Sequence, residues 1–185
     1  SQLEPPSRRA FLAPLLSAQA EIAAAMGDID TTRAAADRLT LIADQFPGPF
    51  LEASASLATG RACLVEGDLD EASRLCLEAV VAWVDVGAPF EAATARVALG
   101  QAHGAAGRDD AARREYAAAE SAFRRFGAEL CAAETASLTA RPPSPLAEPE
   151  TEVASRGERS LSARFTAEGT NRNVEFLGRS TVIRD

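Results

Sequence analysis

Lysine is absent from this 185-residue chain, and all 19 of its basic residues are arginine. They are outnumbered by 27 acidic residues, for a net charge of −8. Residues 1–140 carry that whole excess and residues 141–185 are balanced, so neither part offers the positive surface that phosphate backbones demand. Direct nucleic-acid binding is therefore not expected. Aromatic residues make up only 5% of the chain. Alanine and leucine must then fill the core, which suits close helix packing better than a large-cored sheet. Histidine is limited to His103, so any Cys–His or Ser–His–Asp arrangement would have to use it as base. Catalysis needs a base together with its orienting partner, and an inter-helix structural role is expected for this lone histidine. Cys63, Cys76 and Cys131 are odd in number and show no C-x-x-C spacing, which points to small buried thiols in a reducing, cytoplasmic compartment. No apolar run approaches the ~18 residues of a membrane span, and the opening lacks the layout of a signal peptide. The initial serine fits a segment of a larger polypeptide.

What the chain does have is a repeat. Gly27-Asp28-Ile29-Asp30, Gly67-Asp68-Leu69-Asp70 and Gly107-Arg108-Asp109-Asp110 recur at a period of 40 residues. Gly60 and Gly100, Gly87 and Gly127, and Pro49-Phe50 and Pro89-Phe90 keep the same register. Each unit reads as two helices: one from Pro49 to about Glu66 closed by Gly67, and a second capped by Asp68 with Leu69, Leu75, Ala79, Val80 and Trp83 on a stripe. The third unit runs from Phe90 to Ala106 and from Asp109 to Phe126. The first is a weaker copy, from about Ser7 to Ala25 with Pro14 kinking or shortening it, and from Asp30 to Phe46. A last helix from about Glu129 to Ala140 stops at Pro142-Pro143. Seven helices are expected.

Three other patterns imitate chemistry. The Gly-Asp-x-Asp sequences lack the closing glutamate of a calcium loop, since Leu39 and Ala79 fill that place, and they read as helix caps. Gly100, Gly104 and Gly107 follow no strand and precede no lysine, which excludes a phosphate loop. Arg113-Arg114 and Arg124-Arg125 lie near Glu115 and Glu120 as a solvated face. No metal, cofactor or catalytic role is expected, and the chain reads as a binding protein.

Leu99-Gly100 followed by Gly107, Ala112, Tyr116 and Ala119, and Gly60, Gly67, Ala72 and Ala79 one unit earlier, resemble the tetratricopeptide repeat. The departures are Ser56 or Arg96 for the early aromatic, Cys63 or His103 for the later one, and a period longer than the usual ~34. HEAT-type repeats share the period without this glycine and alanine spacing. The alanine-rich phrases Pro89 to Ala93, Arg96 to Gly100 and Phe123 to Ala128 are similar to the MalT-like helical repeats near the C-terminus of LuxR-type signal-transduction ATPase regulators. The resemblance implies an all-α architecture, an α-solenoid of about three and a half helix pairs over residues 1–140. Residues 141–160 follow as a proline-rich linker and residues 161–185 as a small β-meander, with strands near 163–167, 174–177 and 181–183.

The same resemblance implies a concave face built by the first helix of each pair. It would bring Ser54, Leu57, Arg61 and Leu64, with Val65, beside Thr94, Val97 and Gln101, with Gly104 and Ala105. Such a face would hold an apolar helix or extended segment, with Arg61 as a partly exposed group fixing its orientation. The expected partner is a protein or peptide, or another domain of the same polypeptide. A small-molecule inducer site of a transcriptional regulator is the alternative reading. No membrane partner is expected, and oligomerisation is left open.

Overall fold

The computed structural model describes residues 11–140 and the strand backbones 164–168, 171–176 and 179–184. Residues 11–140 form seven α-helices. They are α1 (Ala13–Met26), α2 (Ile29–Gln45), α3 (Pro49–Glu66), α4 (Leu69–Asp85), α5 (Pro89–Ala105), α6 (Asp109–Arg125) and α7 (Glu129–Thr139). The expected start near Ser7 and the proline-rich linker both lie outside the described residues. Pro14 does not kink α1. It sits in the first turn, as Pro49 and Pro89 do in α3 and α5, where a missing N–H leaves no helical bond unmade.

Five of the six helix connections turn on a left-handed glycine. Gly27, Gly67 and Gly107 end α1, α3 and α5, and Gly87 and Gly127 end α4 and α6, with φ between 70° and 88°. After each, the next amide donates back across the last turn, as Asp68 N does to the Cys63 carbonyl at 2.9 Å and Ala88 N to the Trp83 carbonyl at 2.9 Å. These are Schellman closures, which satisfy carbonyls the helix end leaves open. The α2–α3 connection departs because Pro47 replaces the glycine. Asp28 and Asp68 cap α2 and α4 by accepting from Thr31 N at 3.0 Å and Glu71 N at 3.3 Å. At the third equivalent position, Arg108 reaches back one unit instead, donating to Asp70 at 3.0 Å and to Ser73 Oγ at 2.7 Å. A Gly67→Ala substitution places a Cβ at φ 88°, and it is expected to cost about 1–2 kcal/mol, read as a lowered denaturation midpoint at unchanged helical content.

Each helix packs on its neighbours in sequence, and α1 with α3 and α3 with α5 also touch. The core is therefore a chain of linked clusters. One joins Leu16 and Ala20 of α1 to Leu39 and Ile42 of α2 and Ala58 of α3. The next joins Leu57, Trp83, Ala95 and Leu99 across α3, α4 and α5, and another joins Ala93, Phe123 and Ala132 across α5, α6 and α7. Small residues set the spacing. A Cβ built on Gly60 would stand 2.8 Å from Cys76 Sγ, and one on Gly100 would stand 2.5 Å from the Tyr116 ring, while Ala72 and Ala112 are buried at the same interfaces.

Residues 148–185 form a separate unit. It holds the antiparallel strands β1 (Arg164–Glu168), β2 (Asn171–Phe176) and β3 (Arg179–Arg184) in that order. Val174 stands opposite Phe165 on one side and Thr181 on the other. The middle strand starts three residues before the expected Val174, because Asn171 to Asn173 continue its pairing with both neighbours.

Candidate functional site

A groove of about 570 Å³ runs along the odd-numbered helices. Glu21, Ala24 and Ala25 line it from α1, and Arg61, Leu64 and Val65 from α3. Phe90, Thr94, Val97 and Gln101 come from α5, and Cys131, Glu134, Thr135 and Leu138 from α7. Residues at such i, i+3, i+4 and i+7 spacings share one helix face. Phe123 is the single contribution from an even-numbered helix, where its ring meets that of Phe90 edge-on at 5.3 Å. The 40-residue register reappears here as a row, with Glu21, Arg61 and Gln101 at equivalent points of successive units.

Of the residues expected on this face, Arg61, Leu64, Thr94, Val97 and Gln101 are brought together in the groove, with Val65. Ser54 and Leu57 are not. Ser54 is buried and donates its hydroxyl to the Phe50 carbonyl at 2.8 Å, and Leu57 packs in the cluster around Trp83. The α3 helix is covered on most sides, so its spacing alone does not separate the groove face from the faces against α4 and α5. Arg61 differs from expectation as well. It is 7% exposed, and its guanidinium lies 3.0 Å from the Glu21 carboxylate. The small residues Ala20 and Ala58 let α1 and α3 approach closely enough for this pairing across the two units. Arg61 is thus already engaged within the fold, and shortening it removes packing as well as charge.

The groove floor is mostly apolar because its hydroxyls are used internally. Thr94 donates to the Phe90 carbonyl at 3.2 Å and Thr135 to the Cys131 carbonyl at 2.7 Å, each one turn back along its own helix. Gln101 and Glu134 are exposed at the surface and line the groove together with Leu64, Val65, Val97 and Leu138. His103 lies outside the groove, half-buried, and its Nδ1 accepts from Arg108 Nε at 3.2 Å. Burial and the Arg108 charge both hold its pKa below the usual histidine value. Cys76 is fully buried and its thiol is pushed up to about 12 by burial, with the nearby Arg61 charge opposing. Cys131 is half-buried and borders the groove. Among the described residues no group of three or more His, Cys, Asp or Glu could hold a metal ion, and no helix is long and apolar enough to cross a membrane.

Sequence reasoning missed the contributions of α1 and α7. The signal was available in the register itself, since Glu21 stands 40 residues before Arg61, and Glu134 stands 40 after Thr94. No protein-family model, curated protein or solved structure matches this chain.

Proposed function

We propose that the chain is a protein-interaction module, a tetratricopeptide-like α-solenoid of the MalT type within a larger cytoplasmic transcriptional or signalling regulator. Its groove receives an apolar helix or extended segment of a partner protein, or of a neighbouring domain in the same polypeptide. One observation carries this reading: four successive odd-numbered helices, with Phe123, contribute to one mostly apolar groove whose lining also holds Glu21, Arg61, Gln101 and Glu134. A mostly apolar groove with a few polar groups in its lining is what a helix-in-groove or extended-peptide mode requires. The alternative, a small-molecule inducer pocket in such a regulator, has the volume in its favour, because about 570 Å³ falls within the range of ligand pockets.

Peptides selected from a random library against the intact chain separate the two readings. Enrichment of amphipathic apolar sequences is expected, with affinity reduced at least tenfold by Val97→Asp and unchanged by Leu77→Asp, whose side chain is exposed on α4 outside the groove. Peptides insensitive to Val97→Asp would overturn the assignment of the site. Failure to enrich any peptide, together with binding of small apolar ligands lost in Val97→Asp, would favour the inducer pocket.

A further inference from the structure

The groove lining holds three charged side chains, Glu21, Arg61 and Glu134, and they are not equally open to an occupant. The Arg61 side chain is 8% exposed and its guanidinium is held 3.0 Å from the Glu21 carboxylate, whereas the Glu21 side chain is 55% exposed. An arginine sunk between helices with its head on a carboxylate leaves the acid, and not the base, toward solvent. Glu134 is exposed and forms no ion pair among the described residues. Its own helix, α7, carries no basic residue, and Arg96 on α5 is taken up by Glu115 at 2.7 Å.

The hydroxyls and the amide of the lining add no charge. Thr94 and Thr135 donate within their own helices, and the Gln101 amide offers a donor and an acceptor alike. The face met by an occupant therefore combines apolar Leu64, Val65, Val97 and Leu138 with two open carboxylates. Those carboxylates stand on α1 and α7, the first and the last of the four odd-numbered helices that line the groove. An acidic occupant would set like charges against both. A wholly apolar occupant would take water from both without replacing its hydrogen bonds. The net charge of the whole chain, −8, adds a longer-range field of the same sign.

We infer, on the reading that this groove takes a segment of a partner protein, that the segment is amphipathic and basic. Its apolar stretch seats on Leu64, Val65 and Val97, and arginine or lysine side chains toward its two ends meet Glu21 and Glu134. Charges at such exposed positions decide which partner is accepted and how fast it arrives more than how tightly it is held. Glu134 is the specificity-determining residue, because Glu21 is already engaged by Arg61 inside the fold.

Peptides selected against the intact chain, and kept where Val97→Asp weakens their binding, test the inference by their charge. They are expected to carry net positive charge, and replacing the arginines and lysines of one such peptide by glutamine is expected to weaken it at least about tenfold at low salt. Glu134→Gln is expected to weaken the parent peptide roughly three- to tenfold and the glutamine-substituted peptide less than about twofold, the coupling that a direct charge pair gives. Asp85→Asn removes the same charge from an exposed position outside the groove and is expected to leave both affinities unchanged. Selected peptides that depend on Val97 yet are neutral or acidic would overturn the basic occupant and leave the groove as the docking site. So would a Glu134→Gln effect that is absent, that is equal for the two peptides, or that Asp85→Asn reproduces. Failure to enrich any Val97-dependent peptide would overturn both readings.

Discussion

Gly100→Ala is expected to destabilise the protein by about 1–3 kcal/mol, although alanine is the better helix former. The added methyl would stand 2.5 Å from Tyr116 Cε1 and 2.7 Å from Cδ1, closer than carbon atoms approach. Tyr116 cannot swing away freely, being 8% exposed between α5 and α6. Gly104 supplies the control one turn later on the same helix. A Cβ there would meet Ala112 Cβ at 3.8 Å and the Tyr116 hydroxyl at 4.0 Å, which is ordinary contact. Gly104→Ala is therefore expected to stabilise by roughly 0.5–1 kcal/mol through propensity alone. Chemical denaturation followed by circular dichroism reads both changes. Equal midpoints for the two variants would contradict the claim that units are spaced by their smallest residues.

Trp83→Ala should be more damaging, by about 3–5 kcal/mol. Trp83 is 3% exposed, its ring meets Phe50 edge-on at 4.8 Å, and its cluster joins the second helix pair to the third. Trp83→Phe is expected to cost less than about 1.5 kcal/mol. The reason is twofold. Phe123 already fills the equivalent place one period later, against Phe90. The indole Nε1 of Trp83 is buried with no hydrogen-bond partner among the described residues, so phenylalanine relieves an unpaired donor while it loses some volume. Thermal melts that ranked the phenylalanine variant with the alanine one would show that the indole itself is required there.

The helices were legible in the sequence because their punctuation is chemical. Gly67 and Gly107 can occupy left-handed backbone, Asp68 can accept from the next helix, and Pro49 can open a helix but not continue one. Gly60 and Gly100 were legible as recurring repeat positions, and the structure gives the reason, since a Cβ at either would press on Cys76 or Tyr116 of the next helix. The aromatic pairing was not. Phe50 and Phe90 recur visibly, but their partners, Trp83 and Phe123, differ in identity and lie 33 residues along the chain, beyond any helical period.

The groove was half legible. The tetratricopeptide resemblance implied that Arg61, Leu64, Thr94, Val97 and Gln101 share a side, but helical spacing could not separate them from Ser54 and Leu57 because α3 is enclosed on several faces. The burial of Arg61 depends on Glu21, one whole unit earlier, and an ion pair between units leaves no local pattern. An arginine in a helical stripe reads as solvent-facing until its partner is placed.

Cys131 offers the most direct test of the claim that this groove is the binding site. It is the half-buried thiol that borders the groove, whereas Cys63 and Cys76 are buried between α3 and α4, and burial holds the Cys76 thiol in its unreactive protonated form. The rate of Cys131 alkylation by iodoacetamide, resolved by mass spectrometry, should fall at least tenfold when the intact chain is saturated with a library-selected peptide. Val97→Asp should abolish that protection at the same peptide concentration. An unchanged Cys131 rate with the peptide demonstrably bound would place the binding surface elsewhere and contradict the account.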